Sequence, residues 1–178
     1  MKNNFIRVSL LTTLSFMLIY SNCLKAQDQK DYDVKSIDGI VTALYASISG
    51  EKGEPRHWDM FIDLFAPDAK LIPTRKNEEG KITYLYWTPE QYKEQAGTWL
   101  VENGFHEIEI FRVTEQFGPI AHLFSTYESR RSINDAEPFA RGINSIQLMN
   151  DGDRWWILSI YWSAESETQA IPEKYLPR

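Results

Sequence analysis

The stretch that decides the fold is DGDRWWILSIYWSAE, residues 151–165. Successive side chains of a β-strand point to opposite faces of the sheet. One set of alternate positions holds Trp155, Ile157, Ser159 and Tyr161, and the other holds Trp156, Leu158, Ile160 and Trp162. Both sets are largely apolar or aromatic, so the strand is predicted to be covered on both faces.

Three more long strands precede this one and are joined to it by short links. They are predicted over residues 105–116, 119–131 and 139–149. The last link contains Asp151 followed by Gly152, a pair typical of a tight hairpin turn. Consecutive strands with such short links favour antiparallel pairing.

Three helices are predicted before these strands. Apolar residues spaced by three and four indicate a helix over 34–48, and a second helix begins near Trp58 and ends before Pro67. Thr88 with Gln91 forms a capping box that starts the third helix. Short strands over 69–73 and 82–87 lie between the second and third helices. We therefore predict an α+β domain, in which a curved antiparallel sheet wraps around a long N-terminal helix, with two further helices.

The first 26 residues are typical of a signal peptide. Lys2 and Arg7 precede an uncharged apolar run over 8–20, which is short for a membrane span, and Ala26 offers a small residue for cleavage. We expect an exported protein with a single domain over 27–178. The alternative is a lipid anchor on Cys23, although the residues before it fit a lipoprotein signal poorly.

Composition excludes several classes of function. Removal of residues 1–26 leaves 16 basic against 25 acidic residues, a formal net charge of −9, and an acidic surface is repelled by nucleic acids. The single cysteine lies in the leader, so the mature chain has no thiol for disulfides, catalysis or metal binding. No phosphate-binding loop, zinc motif or nucleophile elbow is present. We expect no metal, no cofactor, no nucleic-acid partner and no transmembrane segment.

The order of elements resembles the nuclear-transport-factor-2-like superfamily, in its SnoaL-like branch. The stretches that carry the resemblance are HWDMFIDLFAPDAKL (57–71), FHEIEIFRVTEQFGPIAHLFSTYES (105–129) and the closing strand quoted above. The resemblance implies a cone-shaped domain with a mostly apolar pocket, frequently a dimer through the outer sheet face. Matched to the family's last strand, Trp155 and Tyr161 are expected to face the cone interior. A homodimer would then cover the outer residues Trp156, Leu158, Ile160 and Trp162.

His106 is the candidate catalytic residue. In the third strand Glu107 and Glu109 are expected to face water, which turns His106 inward with the isoleucines. Dehydratase relatives of this fold have a catalytic histidine at the matching position. The catalytic acid of the isomerase relatives is not matched, because Ile72 and Pro73 stand about where it would fall. The Tyr-Asp pair of the dehydratase relatives is also absent from SISGEKGEPRHW (47–58).

Three hypotheses remain open. The first is a domain that binds a small apolar or aromatic molecule in its cone pocket, without evident catalysis. The second is an isomerase, dehydratase or cyclase that uses His106 with a second group from His122, Tyr45 or Asp59. The third is a non-catalytic assembly module. The predicted pocket residues are Tyr45, Trp58, Trp99, His106, His122, Asn144 and Tyr161. Alternation does not assign the face of His122, because its neighbours on both sides are apolar.

Overall fold

A computed structural model describes residues 32–178. Helices α1, α2 and α3 span Ile37–Ile48, Trp58–Asp63 and Pro89–Asn103. Strands β1 to β6 span Phe65–Lys76, Ile82–Tyr84, His106–Phe117, Ile120–Arg130, Ala140–Asn150 and Trp155–Ala164, and a short 3-10 helix follows at Glu173–Tyr175. The α+β class is confirmed. The predicted signal peptide, its cleavage site and Cys23 lie outside the described residues.

Helices α1 and α3 begin at the side chains that cap them. Ser36 accepts a hydrogen bond from the Gly39 backbone, so α1 starts at Ile37, later than the pattern predicts, and has 12 residues. The predicted capping box of Thr88 and Gln91 starts α3, and Gly104 ends it with a φ of 70°. Helix α2 is shorter than predicted, since Phe65 already belongs to β1.

The six strands form one curved, unclosed sheet in the order β2-β1-β6-β5-β4-β3. Strands β3 to β6 pair antiparallel as predicted. Strand β1, however, pairs with β6 in parallel, so the prediction of a wholly antiparallel sheet is wrong. The connection from β1 to β6 runs through a helix and four strands, which is long enough for a parallel arrangement.

A β-bulge divides β6 into two halves. Gln147 pairs with Ser159 and Leu148 pairs with Ile157, which leaves Leu158 as an extra residue. The bulge shifts the alternation by one position, so that Ile157 and Ile160 are both buried, at 1% and 5% exposure. The predicted faces of β6 are therefore correct before the bulge and wrong after it.

Strand β3 turns the opposite face to the core from the one predicted. Glu107 pairs with Ser129 and Glu109 pairs with Tyr127, and the side chains of Ser129 and Tyr127 are buried in the core. Both glutamates therefore lie on the core side of the sheet, and His106 lies on the opposite face. The prediction that the glutamates face water is wrong, because their partners are polar groups inside the domain.

The core lies between the sheet and the three helices. Its members include residues of α1, α2, β1, β4, β5 and β6: Ile40, Leu44, Phe61, Leu71, Leu123, Ile146 and Ile157. No helix in residues 32–178 is long and apolar enough to cross a membrane.

Candidate functional site

A cavity of about 250 Å³ lies between the sheet and the helices, and we call it the inner cavity. Its apolar wall is formed by Leu44, Ile48, Phe61, Leu71, Tyr92, Ala96, Trp99, Leu100, Phe105, Tyr127, Ile160 and Trp162. Its polar groups come from Glu107, Ser129 and Asn144. Trp99 is the one exposed side chain of this lining, at 43%.

Glu107 supplies a carboxyl group in this apolar surrounding. Burial raises the pKa of Glu107 to about 7, although a hydrogen bond from Asn144 lowers it in part. No Lys or Arg side chain belongs to the cavity lining, so no nearby cation offsets the cost of burying the charge. Burial also raises the pKa of Tyr92 and of Tyr127, and the negative charge of Glu107 adds to both shifts.

Asn144 donates a hydrogen bond directly to the carboxyl group of Glu107, and a chain of further hydrogen bonds holds Asn144 in place. Its Nδ2 donates to Glu107 Oε1 at 3.0 Å and to the phenol oxygen of Tyr45 at 3.1 Å. The Tyr45 phenol in turn lies 2.7 Å from Ser125 Oγ, which donates to Glu109 Oε1 at 2.5 Å. Because the chain ends on a carboxylate that can only accept, both amide hydrogens of Asn144 are committed.

The hydrogen-bonding pattern leaves the second oxygen of Glu107 for a ligand. Oε1 accepts from Asn144, and this is the one side-chain hydrogen bond found for the Glu107 carboxyl group in residues 32–178. In the acid form Glu107 therefore carries its proton on Oε2 and presents a donor, whereas the ionised form presents an acceptor. Within the same residues, no group of three or more His, Cys, Asp or Glu side chains is arranged to hold a metal ion.

Four of the predicted pocket residues lie in or against the inner cavity. Trp99 and Asn144 line it directly. Tyr45 is buried behind Asn144 and reaches the cavity only through that side chain. Trp58 packs on Phe61, with ring centroids 5.5 Å apart, and supports the wall without being part of it.

The other three predicted residues lie elsewhere. His106 is absent from the lining, and its Nε2 lies 3.1 Å from Glu51 Oε1, in the connection between α1 and α2. His122 points to the outer face, where its Nε2 lies 3.0 Å from Ser145 Oγ. Tyr161 is on the outer face as well, 49% exposed, because the bulge at Leu158 reverses its direction.

Glu107 is the site residue that alternation in the sequence misplaced. In FHEIEIF the isoleucines share a parity with His106, so the glutamates look like the solvent side of an amphipathic strand. The signal that favours the true orientation is Phe105, which has the parity of the glutamates and is only 8% exposed.

Sequence comparison finds no protein-family model and no curated protein that matches the chain. Solved structures do match. A protein of unknown function with a cystatin-like fold from Nostoc punctiforme is 11% identical, with a TM-score of 0.53, over 76% of this chain and 97% of that chain. A protein from Xanthomonas campestris, assigned as a calcium/calmodulin-dependent protein kinase II association domain, is 18% identical, with a TM-score of 0.50, over 77% and 96%.

A third structure is an NTF-2-like protein of unknown function from Silicibacter pomeroyi. It is 13% identical, with a TM-score of 0.49, over 71% of this chain and 90% of that chain. At such identities structural likeness shows the fold and not the activity. The helices before the long strands, the curved six-stranded sheet and the cavity between them agree with the architecture that the sequence resemblance implies. The chain therefore has the same fold as the Nostoc punctiforme and Xanthomonas campestris proteins.

Proposed function

We propose that the domain binds a small, uncharged and mostly apolar molecule in the inner cavity. The observation that carries this proposal is a single carboxyl group, Glu107, set in a wall of aromatic and aliphatic side chains. Ligand pockets usually measure roughly 300–1,000 Å³. At about 250 Å³ the inner cavity is smaller than most ligand pockets, so we expect a small ligand.

The polar end of the ligand meets Glu107 Oε2. A neutral acceptor, such as a carbonyl oxygen, receives a hydrogen bond from the acid form of Glu107. An anionic ligand would bury its charge in a lining without a cation, and it would repel the ionised form of Glu107, so we expect anions to be rejected.

A cavity-filling variant tests this proposal. Ala96 lines the cavity on α3, whereas Thr98 is exposed two residues further along and is not part of the lining. We expect some small neutral carbonyl compounds in a thermal-shift panel to stabilise the natural protein and the Thr98→Phe control, but not Ala96→Phe. If no compound stabilises the natural protein, or if Ala96→Phe responds equally, the proposal is wrong.

A second candidate is an isomerase- or dehydratase-type enzyme. The observation that favours it is the pKa of Glu107, since a general acid or base works best with a pKa near the working pH. The expected acid-base group is then Glu107 and not His106, which is absent from the cavity lining. Proton exchange at the carbon next to a carbonyl, followed by NMR in D₂O, should be lost in Glu107→Gln if this activity exists.

The proposal also includes the SnoaL-like branch and export. The motifs of residues 57–71, 105–129 and 151–165 support the branch, and the basic start and apolar run of residues 1–26 support export. The expected mature protein begins at Gln27. Mass spectrometry of the protein from its native host distinguishes this product from one that begins with a lipid-modified Cys23, and retention of Met1 would refute both.

We also propose a homodimer through the outer face of the sheet, but its contact residues differ from those predicted from the sequence. Ile160 is buried and Trp162 lines the inner cavity, so neither is available for a contact. A row of paired apolar residues crosses the outer face at one end of the sheet: Phe117, Ile120, Met149 and Trp156. Phe117 is 83% exposed. Light scattering should show a dimer that Phe117→Glu converts to a monomer, and a monomeric natural protein at micromolar concentration would exclude this proposal.

A further inference from the structure

The outer face of the sheet contains a second cavity, which the proposed function does not use. We call this cavity of about 510 Å³ the outer cavity. Its walls include Phe124, Ile143, Tyr161, Ile171 and Tyr175, and its polar groups include Ser145 and Ser163.

The chain after β6 is fixed along one side of the outer cavity. Thr126 Oγ1 donates to the Tyr175 carbonyl at 2.7 Å, and the Phe124 and Tyr175 rings lie 4.8 Å apart. Glu165 accepts from the Ile171 backbone at 3.0 Å and pairs with Arg141 at 2.9 Å. The cavity is therefore bounded by the sheet on one side and by the anchored C-terminal segment on the other.

A serine, a histidine and a glutamate stand in line beside this cavity. His122 Nε2 lies 3.0 Å from Ser145 Oγ, and His122 Nδ1 lies 3.6 Å from Glu115 Oε2. They come from three adjacent strands, since Glu115 pairs with His122 on β3 and β4, and Ser145 is on β5. The nearby Glu115 carboxylate favours the tautomer that carries its hydrogen on Nδ1, and in that tautomer Nε2 accepts the hydroxyl hydrogen of Ser145.

A hydrogen-bond donor lies on the same face, directly opposite Ser145. Tyr161 on β6 pairs directly with Ser145, so its phenol stands on the same face one strand away. It is 49% exposed and also lines the outer cavity. A nucleophile, a base, a carboxylate beside the base and a donor for a developing oxyanion thus lie on one face of the sheet, in two neighbouring rows across four strands.

We propose that Ser145 and His122, oriented by Glu115, form an acyl-transfer site for small esters with an apolar acyl group bound in the outer cavity. Ser145 Oγ bonds to the acyl carbon while its proton passes to His122 Nε2. The bond to the alcohol oxygen breaks, and the imidazolium gives the proton to that oxygen. Water, activated by the same imidazole, then releases the carboxylic acid and restores the serine.

His122 and Glu115 should contribute very differently to the rate of acylation. The base is required for the serine to act, so loss of His122 should slow acylation by roughly 100-fold. The Glu115 side chain is 79% exposed, and an exposed ion pair contributes little, so Glu115→Gln should slow acylation only a few-fold.

The experiment uses p-nitrophenyl butyrate hydrolysis and a fluorophosphonate label on the full mature chain. The matched control is Ser159→Ala, because Ser159 lies on the same sheet but outside the lining of both cavities and has no hydrogen bond to a histidine. We expect label on Ser145 in the natural protein and in Ser159→Ala, and loss of label and of hydrolysis in Ser145→Ala and His122→Gln. Circular dichroism melting curves confirm that each variant is folded.

Two results would overturn the proposal. The first is a natural protein that neither takes the label nor hydrolyses the ester above the buffer rate. The second is activity that survives in a folded Ser145→Ala variant. Because Glu107 lies on the opposite face of the sheet, Glu107→Gln should keep this activity, which separates the outer site from the function proposed for the inner cavity.

Discussion

Substitution of Glu107 by Gln should make the protein more stable at high pH and leave it nearly unchanged at low pH. The carboxyl group has an ordinary pKa of 4.5 in the unfolded chain, and burial raises the pKa to about 7 in the folded domain. Between these values the folded state holds a proton that the unfolded state has released. The contribution of Glu107 to stability is therefore lost as the pH rises through this window.

The magnitude follows from the size of the shift. One pKa unit corresponds to about 1.4 kcal/mol, so the full penalty of ionised Glu107 is about 3 kcal/mol. Some 2–3 kcal/mol of it should develop between pH 5 and pH 8. Gln keeps an oxygen that accepts from Asn144, and it has no charge to bury. In a domain of this size each kcal/mol corresponds to about 2–4 °C in melting temperature.

Urea denaturation of both proteins at pH 5, 6, 7 and 8 measures the effect. The difference between Glu107→Gln and the natural protein should grow with pH, while groups common to both largely cancel. The control is Glu115→Gln on the same strand, since that side chain is 79% exposed and should give only a small difference. A Glu107→Gln difference that is equal at pH 5 and pH 8 would refute a buried carboxyl with a raised pKa.

The buried contacts and the bulge of the sheet are tested by substitutions at Asn144, Leu158, Ile160 and Gly142. Asn144→Ala leaves its buried partners without a donor and should cost about 1–3 kcal/mol in urea denaturation, more at pH 8 than at pH 5, because the ionised Glu107 depends most on that donor. Leu158→Asp should change stability by less than about 1 kcal/mol, whereas Ile160→Asp should cost about 4 kcal/mol or more, and the reverse order would contradict the bulge. Gly142→Ala would place a methyl group against a facing phenol and a backbone carbonyl, so melting curves should show a loss of about 1–3 kcal/mol.

The features that the sequence predicts correctly are those that depend on neighbouring residues. The start of α3 follows from Thr88, Pro89 and Gln91 alone, and its end follows from Gly104. The four long strands follow from their alternation and short links. Each of these signals acts within a few residues, so no knowledge of the tertiary contacts is needed.

The inner cavity could not be predicted in the same way, because its polar end depends on a distant contact. Glu107 faces inward toward Asn144, which is 37 residues away in the chain. Its local sequence, HEIEI, favours the opposite orientation, because the isoleucines share a parity with His106 and the glutamates look like the solvent side. The hydrogen bonds of the domain interior decide between the two orientations, and they are not visible in the strand itself.

The bulge in β6 could not be predicted from the sequence either, and it determines which residues lie on each face of the sheet. With Leu158 as the extra residue, Ile160 and Trp162 join the inner wall and Tyr161 joins the row of Ser145. An uninterrupted strand would exchange these positions. Deletion of Leu158 should therefore be tolerated, since it removes the extra residue and leaves the ladder on either side with its present faces.

Deletion of Tyr161 is the matched opposite case. It removes one residue after the bulge, so Trp162 is turned out of the inner cavity unless the ladder slips again. We expect melting curves to show the Leu158 deletion within about 2 kcal/mol of the natural protein and the Tyr161 deletion well below it. If the two deletions destabilise the protein equally, Leu158 is not an extra residue that the strand can lose. Local packing around each side chain would then decide which β6 residues point inward, because the pairing register alone predicts different effects for the two deletions.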